Sequence, residues 1–478
     1  MNAPDRRQRP AVPIAAVLLL GLLGPALRDP GLILFPILWN EDALILFPRF
    51  FANGGDAGGI LAPHAGYVSL LPGLVGWMVA ALPPTWAPHA YLAAALLGNA
   101  LAVTPLLLRR AEPVLGPLPV RAALAGLLAL APAGSIAIAA SVMHLNWPTL
   151  LLACLLALLP LPAGRPSQVR TALLLALAIW TNPLALICLP ILALRSLRER
   201  DARGPAALVA IAALAFLVWG VDGTGAGSML GRAPENLLAG VELVGSRAVL
   251  EAFLGSEAMA GLATTPVARA LLAAAGWAVL AASAWFAIRG HGQARRHFVA
   301  GLVLLVTGLT VGSVVVRDLG ASYGLALRYF HTPKLLTLLL LGIVVADRVA
   351  GARWRVSLAL AMIAAWLAGL TALQINWYRA DTFTDPERGR RLQAFLQTVS
   401  EFPDTPNGLV AVFPDRRNIF DMVLLRGPAT TAPQALPRPG SERGRLGWFV
   451  GPPDDGPALV EEHPGAAADW KRALAAPP

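Results

Sequence analysis

Of 478 residues, 56% are hydrophobic and only 14% charged, against roughly a quarter charged in a soluble domain. Apolar runs of about 17 to 24 residues recur along the chain without alternation at period two, which sets aside both a soluble globular protein and a membrane β-barrel. What remains is an all-α polytopic membrane protein. The net charge is +10, and of the 38 basic residues only Lys334 and Lys471 are lysines. The arginines cluster between apolar runs, where the positive-inside rule puts them, so the bilayer and not nucleic acid is the expected partner.

The N-terminus carries Arg6, Arg7 and Arg9 ahead of an apolar run, the charge pattern of a signal peptide. Pro25-Ala-Leu-Arg28 is a poor cleavage site, so the run reads as an uncleaved first span, 11–27, with a cytoplasmic N-terminus. Residues 28–65 then form a large first extracytoplasmic loop. Within it, Ala43 to Phe51 is too short to cross and suits a helix lying at the interface. The segment 66–82, interrupted by Pro72 and closed by Pro83-Pro84, packs on the outer side. That choice leaves Arg109, Arg110 and Arg121 cytoplasmic after a span at 90–108.

Further spans are expected at 121–140, 148–162, 205–221, 266–288, 298–316, 332–347 and 356–376. Segment 171–194 has basic flanks at both ends and a break at Trp180-Thr181-Asn182-Pro183, which predicts a helical hairpin that turns without crossing. The sum is about eleven membrane segments. Residues 222–265 read as an outer loop, rich in Gly and mixed charge. The chain divides into a transmembrane domain, 1–376, and an extracytoplasmic C-terminal tail, 377–478, with an amphipathic stretch at 387–402 and a strand-like Leu409 to Phe413. The expected location is the inner (plasma) membrane. Cys154 and Cys188 both lie inside apolar runs, where neither a structural disulfide nor a metal site is expected.

Polar chemistry begins just beyond the first span. Trp39-Asn-Glu41-Asp42 is followed by Asn53-Gly-Gly-Asp56-Ala-Gly-Gly and then by Ala62-Pro-His64-Ala-Gly-Tyr67. Ionisable groups beside a bilayer are costly and mark function by default, although an acid before a helix also serves as a cap. Asp56 reads as a solvated turn residue. His64 is read as a structural histidine, a ligand or a proton relay. A second constellation, His144-Leu-Asn146-Trp147-Pro148, sits at the outer end of two spans and reads equally well as a polar helix cap with an interfacial Trp. A third runs through Arg317-Asp318 and from Tyr323 to Lys334, including Arg328. Outer arginines run against the positive-inside bias, and Arg matches phosphate oxygens bidentately.

The acid pair outside the first span, the Gly-rich loop and the Pro63-His-Ala-Gly-Tyr67 segment together resemble the first extracytoplasmic loop of the GT-C superfamily of integral-membrane glycosyltransferases. The resemblance covers the layout of residues 10–200. It implies transfer of a sugar, with inversion, from a polyprenyl-phosphate donor to a lipid, glycan or protein acceptor at the outer face. It further implies Asp42, with Glu41 beside it, as the catalytic acid that accepts the acceptor's proton or holds a divalent metal such as Mg or Mn, with His64 as a possible fellow ligand. His64, His144, Asn146, Arg317, Arg328 and Lys334 would contact substrate, and Arg328 would hold the phosphate. The sequence departs from the family at Asn146-Trp147-Pro148, where an acid before Pro is common; an amide can orient a hydroxyl but cannot act as a base.

No nucleotide-binding or metalloprotease motif is present. A transporter or flippase for a lipid-linked glycan is the rival from another class, using the same broken helices without chemistry. No inverted repeat supports it, and the acids gather at one face. A membrane scaffold without activity is the third reading.

Overall fold

The structure, a computed structural model, describes residues 11–28, 31–34, 36, 38, 42–51, 55–64, 66–131, 136–221, 233–317, 327–349, 409–414, 419–424 and 448–450. Among these, five helices are long and apolar enough to cross a membrane: Pro84–Leu107, Arg203–Gly220, Pro266–Ile288, Gln293–Val315 and Arg328–Arg348. Each overlays a span expected from the sequence. The helix Ala11–Arg28 coincides with the expected first span, while the expected span 356–376 and the amphipathic stretch 387–402 lie outside the described residues. Side chains such as Ile211, Leu214, Leu217, Trp219, Leu271 and Trp285 stand exposed on the candidate spans, an apolar outer surface that suits lipid and not water.

The helix Leu70–Val79 has ten residues. At about 1.5 Å per residue it rises roughly 15 Å, half of a hydrocarbon core. Helices Arg109–Leu115 and Leu118–Leu130 meet at 90°. The corner holds Gly116 at φ 86°, a left-handed conformation that glycine tolerates, followed by Pro117. Arg121 lies buried inside the bend and donates to the carbonyls of Leu107, Leu108 and Gly116. It ties up helix-end carbonyls, a structural task for an arginine between spans.

Helix Asn146–Leu158 runs through the middle of the main core, with nearly every residue buried. The next helix, Arg165–Thr181, ends at Asn182, whose amide donates to the Asn146 carbonyl at 3.1 Å. After Pro183 the helix Cys188–Arg198 returns, and Arg195 donates to the carbonyls of Ala157 and Leu159 at 3.2 and 2.5 Å. The chain therefore climbs to the level of Asn146 and descends again to that of Leu159, turning at Asn182-Pro183 as the flanking charges imply.

The segment expected to be an outer loop is largely something else. From Ala233 to Leu262 it is helical: Ala233–Leu243, a π-helical Val244–Leu250, Glu251–Leu254 and Ser256–Leu262. Gly245 and Gly276 let this stretch pass backbone to backbone against Pro266–Ile288. A Cβ on Gly245 would strike the Ala273 carbonyl, and one on Gly276 the Gly245 carbonyl. This small-residue crossing sinks Arg247 and Glu251 into the core.

The expected all-helical architecture holds for the described membrane helices, and three short strands lie in the tail. In the tail, β1 (Leu409–Pro414) pairs antiparallel with both β2 (Ile419–Leu424) and β3 (Trp448–Val450), in the order β2-β1-β3. Strand β1 covers the stretch that reads as strand-like in the sequence.

Candidate functional site

Asp42 opens a short helix, π-helical over Asp42–Leu46 and α-helical over Phe47–Phe51. Its apolar side, Leu46, Phe47 and Phe50, is buried against Val75, Val79, Tyr91, Val142 and Met143. Gly76 permits the close approach, since a Cβ there would lie 2.7 Å from two Phe50 ring carbons. This packing drives Asp42 to 1% exposure.

The Asp42 carboxylate does not cap its own helix. Oδ1 accepts from the Ser141 hydroxyl at 3.1 Å and from Met143 N–H at 2.8 Å, and Oδ2 accepts from Val142 N–H at 3.0 Å. The His144 N–H turns to the Ser141 hydroxyl at 3.4 Å. Helix N-termini leave N–H groups with no partner in the helix. Here Ser141 satisfies one locally, and Asp42, about a hundred residues earlier, satisfies two. Pro148 stands in the first turn of Asn146–Leu158, where its missing N–H costs little.

Burial pushes the Asp42 carboxyl up to about 7 from the ordinary 3.8. The N–H groups of Met143 and Val142, the charge of His144 and the Ser141 hydroxyl all pull in the opposite direction. Burial wins because moving a carboxylate out of water costs more than three hydrogen bonds return. A carboxyl that exchanges its proton near neutrality is suited to general-base work.

His144 stands between this acid and a cation. Its Nε2 lies 3.4 Å from Arg328 Nη1. The Arg328 guanidinium also sits 5.4 Å from the Tyr329 ring centre, and Tyr329 meets Trp147 edge-on at 5.2 Å. The Trp147 carbonyl accepts from the Thr332 hydroxyl at 3.3 Å. Asp42 and Arg328, from two distant parts of the sequence, thus converge on the segment Ser141 to Trp147, which carries His144 and Asn146.

The other expected site residues fall elsewhere. His64 is half-buried and shares a β-bridge with Tyr67 around Gly66, and Tyr67 in turn bridges to Val221. The histidine whose charge acts on Asp42 is His144. Asp56 is exposed and accepts from Gly58 N–H at 3.0 Å, as a turn residue does. Glu41 and Asp318 lie outside the described residues, as does the side chain of Arg317, the last residue of Gln293–Arg317. Among the described residues no group of three His, Cys, Asp or Glu side chains could hold a metal ion.

Lys334 enters a buried ionic cluster that local sequence reading misses. Its Nζ lies 2.5 Å from Glu251 Oε1, and Glu251 Oε2 lies 2.7 Å from Arg247 Nε. Arg247 also stacks 5.1 Å from the Phe330 ring centre. All three charged residues are at least 96% buried. The available signal was Arg247 and Glu251 at i and i+4 within an apolar surround, the spacing of a helical ion pair. The cluster fixes the hairpin around Val244–Leu250 to the start of Arg328–Arg348, and so fixes the backbone that presents Arg328.

No protein-family profile, no curated protein and no solved structure matches this chain.

Proposed function

We propose that this protein is an integral-membrane glycosyltransferase of GT-C type, moving a sugar from a polyprenyl-phosphate donor to a lipid, glycan or protein acceptor at the outer face of the membrane. One observation carries the proposal: a buried acid from the first loop, Asp42, meets the His144 segment, on which Arg328 also converges. An acid titrating near 7 and a phosphate-matching cation that both meet the His144 segment suit the two charge movements of the reaction.

In the proposed reaction the acceptor oxygen attacks the anomeric carbon, and its proton passes to Asp42. The bond from that carbon to the phosphate oxygen breaks, and the phosphate leaves with the electron pair. Arg328 and His144 stabilise the charge that develops on it. Asp42 lies beneath Ser141 and the Phe47–Phe50 packing. The reading is tested by lipid analysis of cells lacking the protein. Accumulation of a polyprenyl-phosphate sugar is expected, and an unchanged pool of every such lipid refutes it.

A second reading, a membrane scaffold without activity, draws on the same acid. Three donors already occupy the carboxylate, which is what a purely structural cap requires.

A further inference from the structure

At the start of helix Asn146–Leu158, two side-chain groups of opposite hydrogen-bonding type stand in successive residues. Asn146 Oδ1, an acceptor, and Trp147 Nε1–H, a donor, are both buried with no hydrogen-bond partner. Asn146 is 8% exposed and Trp147 3%. Their carbonyls are both engaged: Asn182 holds that of Asn146 and Thr332 that of Trp147. Leaving a buried polar group unpaired costs about 1–3 kcal/mol. Native proteins carry few such groups, and each requires an explanation.

The neighbourhood indicates what would complete them. Through Tyr329, the Trp147 ring adjoins the Arg328 guanidinium, and Arg328 in turn reaches His144. A hydroxyl gives a hydrogen bond to one group and takes one from another, so sugar hydroxyls have the chemistry to complete both an acceptor such as Asn146 Oδ1 and a donor such as Trp147 Nε1–H. An amide oxygen accepts from such a hydroxyl without removing its proton. We propose that Asn146 and Trp147 form a subsite for the hydroxyls of the donor's sugar ring, next to the place where Arg328 and His144 hold the donor's phosphate. This rests on the glycosyltransferase reading and adds to it the residues that distinguish a sugar-bearing lipid from the bare carrier.

The test uses the full chain in lipid nanodiscs and two families of probe: a polyprenyl monophosphate, and the same lipid bearing a hexose or a pentose. Wild type is expected to bind one of the sugar lipids about tenfold more tightly than the bare carrier, the gain of one or two net hydrogen bonds. Asn146→Leu, close in volume and without the amide, should bring the two affinities together while leaving the bare carrier's affinity unchanged. Trp147→Phe removes the N–H, keeps an aromatic ring and carries the same test if Asn146→Leu does not fold. Asn146→Asp retains an acceptor and should retain the preference. Should wild type prefer a sugar lipid and both Asn146→Leu and Trp147→Phe keep that preference, the subsite is refuted and the donor reading stands. A wild-type protein that binds bare and sugar-bearing lipids equally refutes the subsite in the same way. No saturable binding of any of these lipids refutes the donor reading, and the subsite with it. A free acceptor sugar that competes for Asn146 without affecting donor binding would place the subsite on the acceptor side and overturn the assignment.

Discussion

Replacing Asp42 with Asn tests the centre of this reasoning, and the structure changes what the substitution should cost. For an ordinary cap, Asn substitutes for Asp with little loss. Here the carboxylate accepts from Met143 N–H and Ser141 on one oxygen and from Val142 N–H on the other. An amide offers one acceptor oxygen and two donor hydrogens. With its oxygen toward Met143, its NH2 faces the Val142 N–H, donor against donor, in a buried site. The loss is one satisfied buried N–H, about 1–3 kcal/mol, offset in part because the amide carries no charge to desolvate. Destabilisation of that size, read as a lower melting midpoint in detergent, is expected whether or not Asp42 takes part in chemistry.

Two further readouts separate cap from base. If Asp42 is the base, folded Asp42→Asn should turn over at least about 10²-fold more slowly, the scale of losing a general base. The wild-type rate should rise as pH climbs through about 7, where the buried carboxyl gives up its proton, and that limb should vanish in the variant. Stability moves in the opposite sense. A carboxyl whose pKa is raised on folding binds its proton more firmly in the native state, so its favourable contribution is complete below about 3.8 and is lost as pH rises toward about 7. The melting midpoint of wild type should fall across that window more steeply than that of Asp42→Asn. Ser141→Ala is the control. It removes one donor and leaves the carboxylate, so it should cost stability but retain turnover. Equal loss of activity in Asp42→Asn and Ser141→Ala, in proportion to lost stability, would refute the base and favour the scaffold.

Three more outcomes are expected. Arg328→Ala should weaken use of the lipid donor far more than Arg109→Ala at equal expression, and the reverse order would put the proposed phosphate site on the wrong face. Glu251→Gln should destabilise by about 3–5 kcal/mol in thermal unfolding, because it strands two buried cations. Lys334→Met should cost less, because it leaves Glu251 paired with Arg247; the opposite ranking would refute the pairing. A reporter fused after Arg110 should read cytoplasmic, and an extracytoplasmic signal there would invert the topology that places Asp42 and His144 outside.

Much of the fold was legible because its signal is local. Apolar runs account for the long helices, Asn182-Pro183 for the turn, and the strand-like Leu409 to Phe413 for β1. The stretch from 233 to 262 was misread because its glycines and mixed charges look like a loop. The glycines are in fact contact points, Gly245 against Pro266–Ile288, and the charges Arg247 and Glu251 complete each other and Lys334 inside the core. Nothing within a few residues of position 251 announces a partner 83 residues away. The same limit explains Asp42. Its place as an acid just after the first apolar run was readable, but local reasoning offered its own helix as the one to be capped, and the N–H groups it serves are 100 and 101 residues further on. His144 and Arg328 were each legible as polar groups at span ends. Their meeting, across 184 residues, was not.

The segment from Ser141 to Trp147 has the character of a preorganised platform. Its first two free N–H groups belong to Asp42, its third to Ser141, its carbonyls at Asn146 and Trp147 to Asn182 and Thr332, and its imidazole reaches Arg328. Three separate parts of the chain, at Asp42, at Asn182 and at Arg328 to Thr332, therefore hold one short stretch. A site that must stabilise a developing charge gains from such rigidity, because its dipoles and donors need no reorganisation when the charge appears. Substitutions at Asp42, Asn182 and Thr332 therefore act on one shared element, and their effects on stability and on turnover should combine non-additively. A purely structural platform would have no need to leave Asn146 Oδ1 and Trp147 Nε1 without partners at its centre. Those two buried, unpartnered atoms are the physical reason to look for a ligand there.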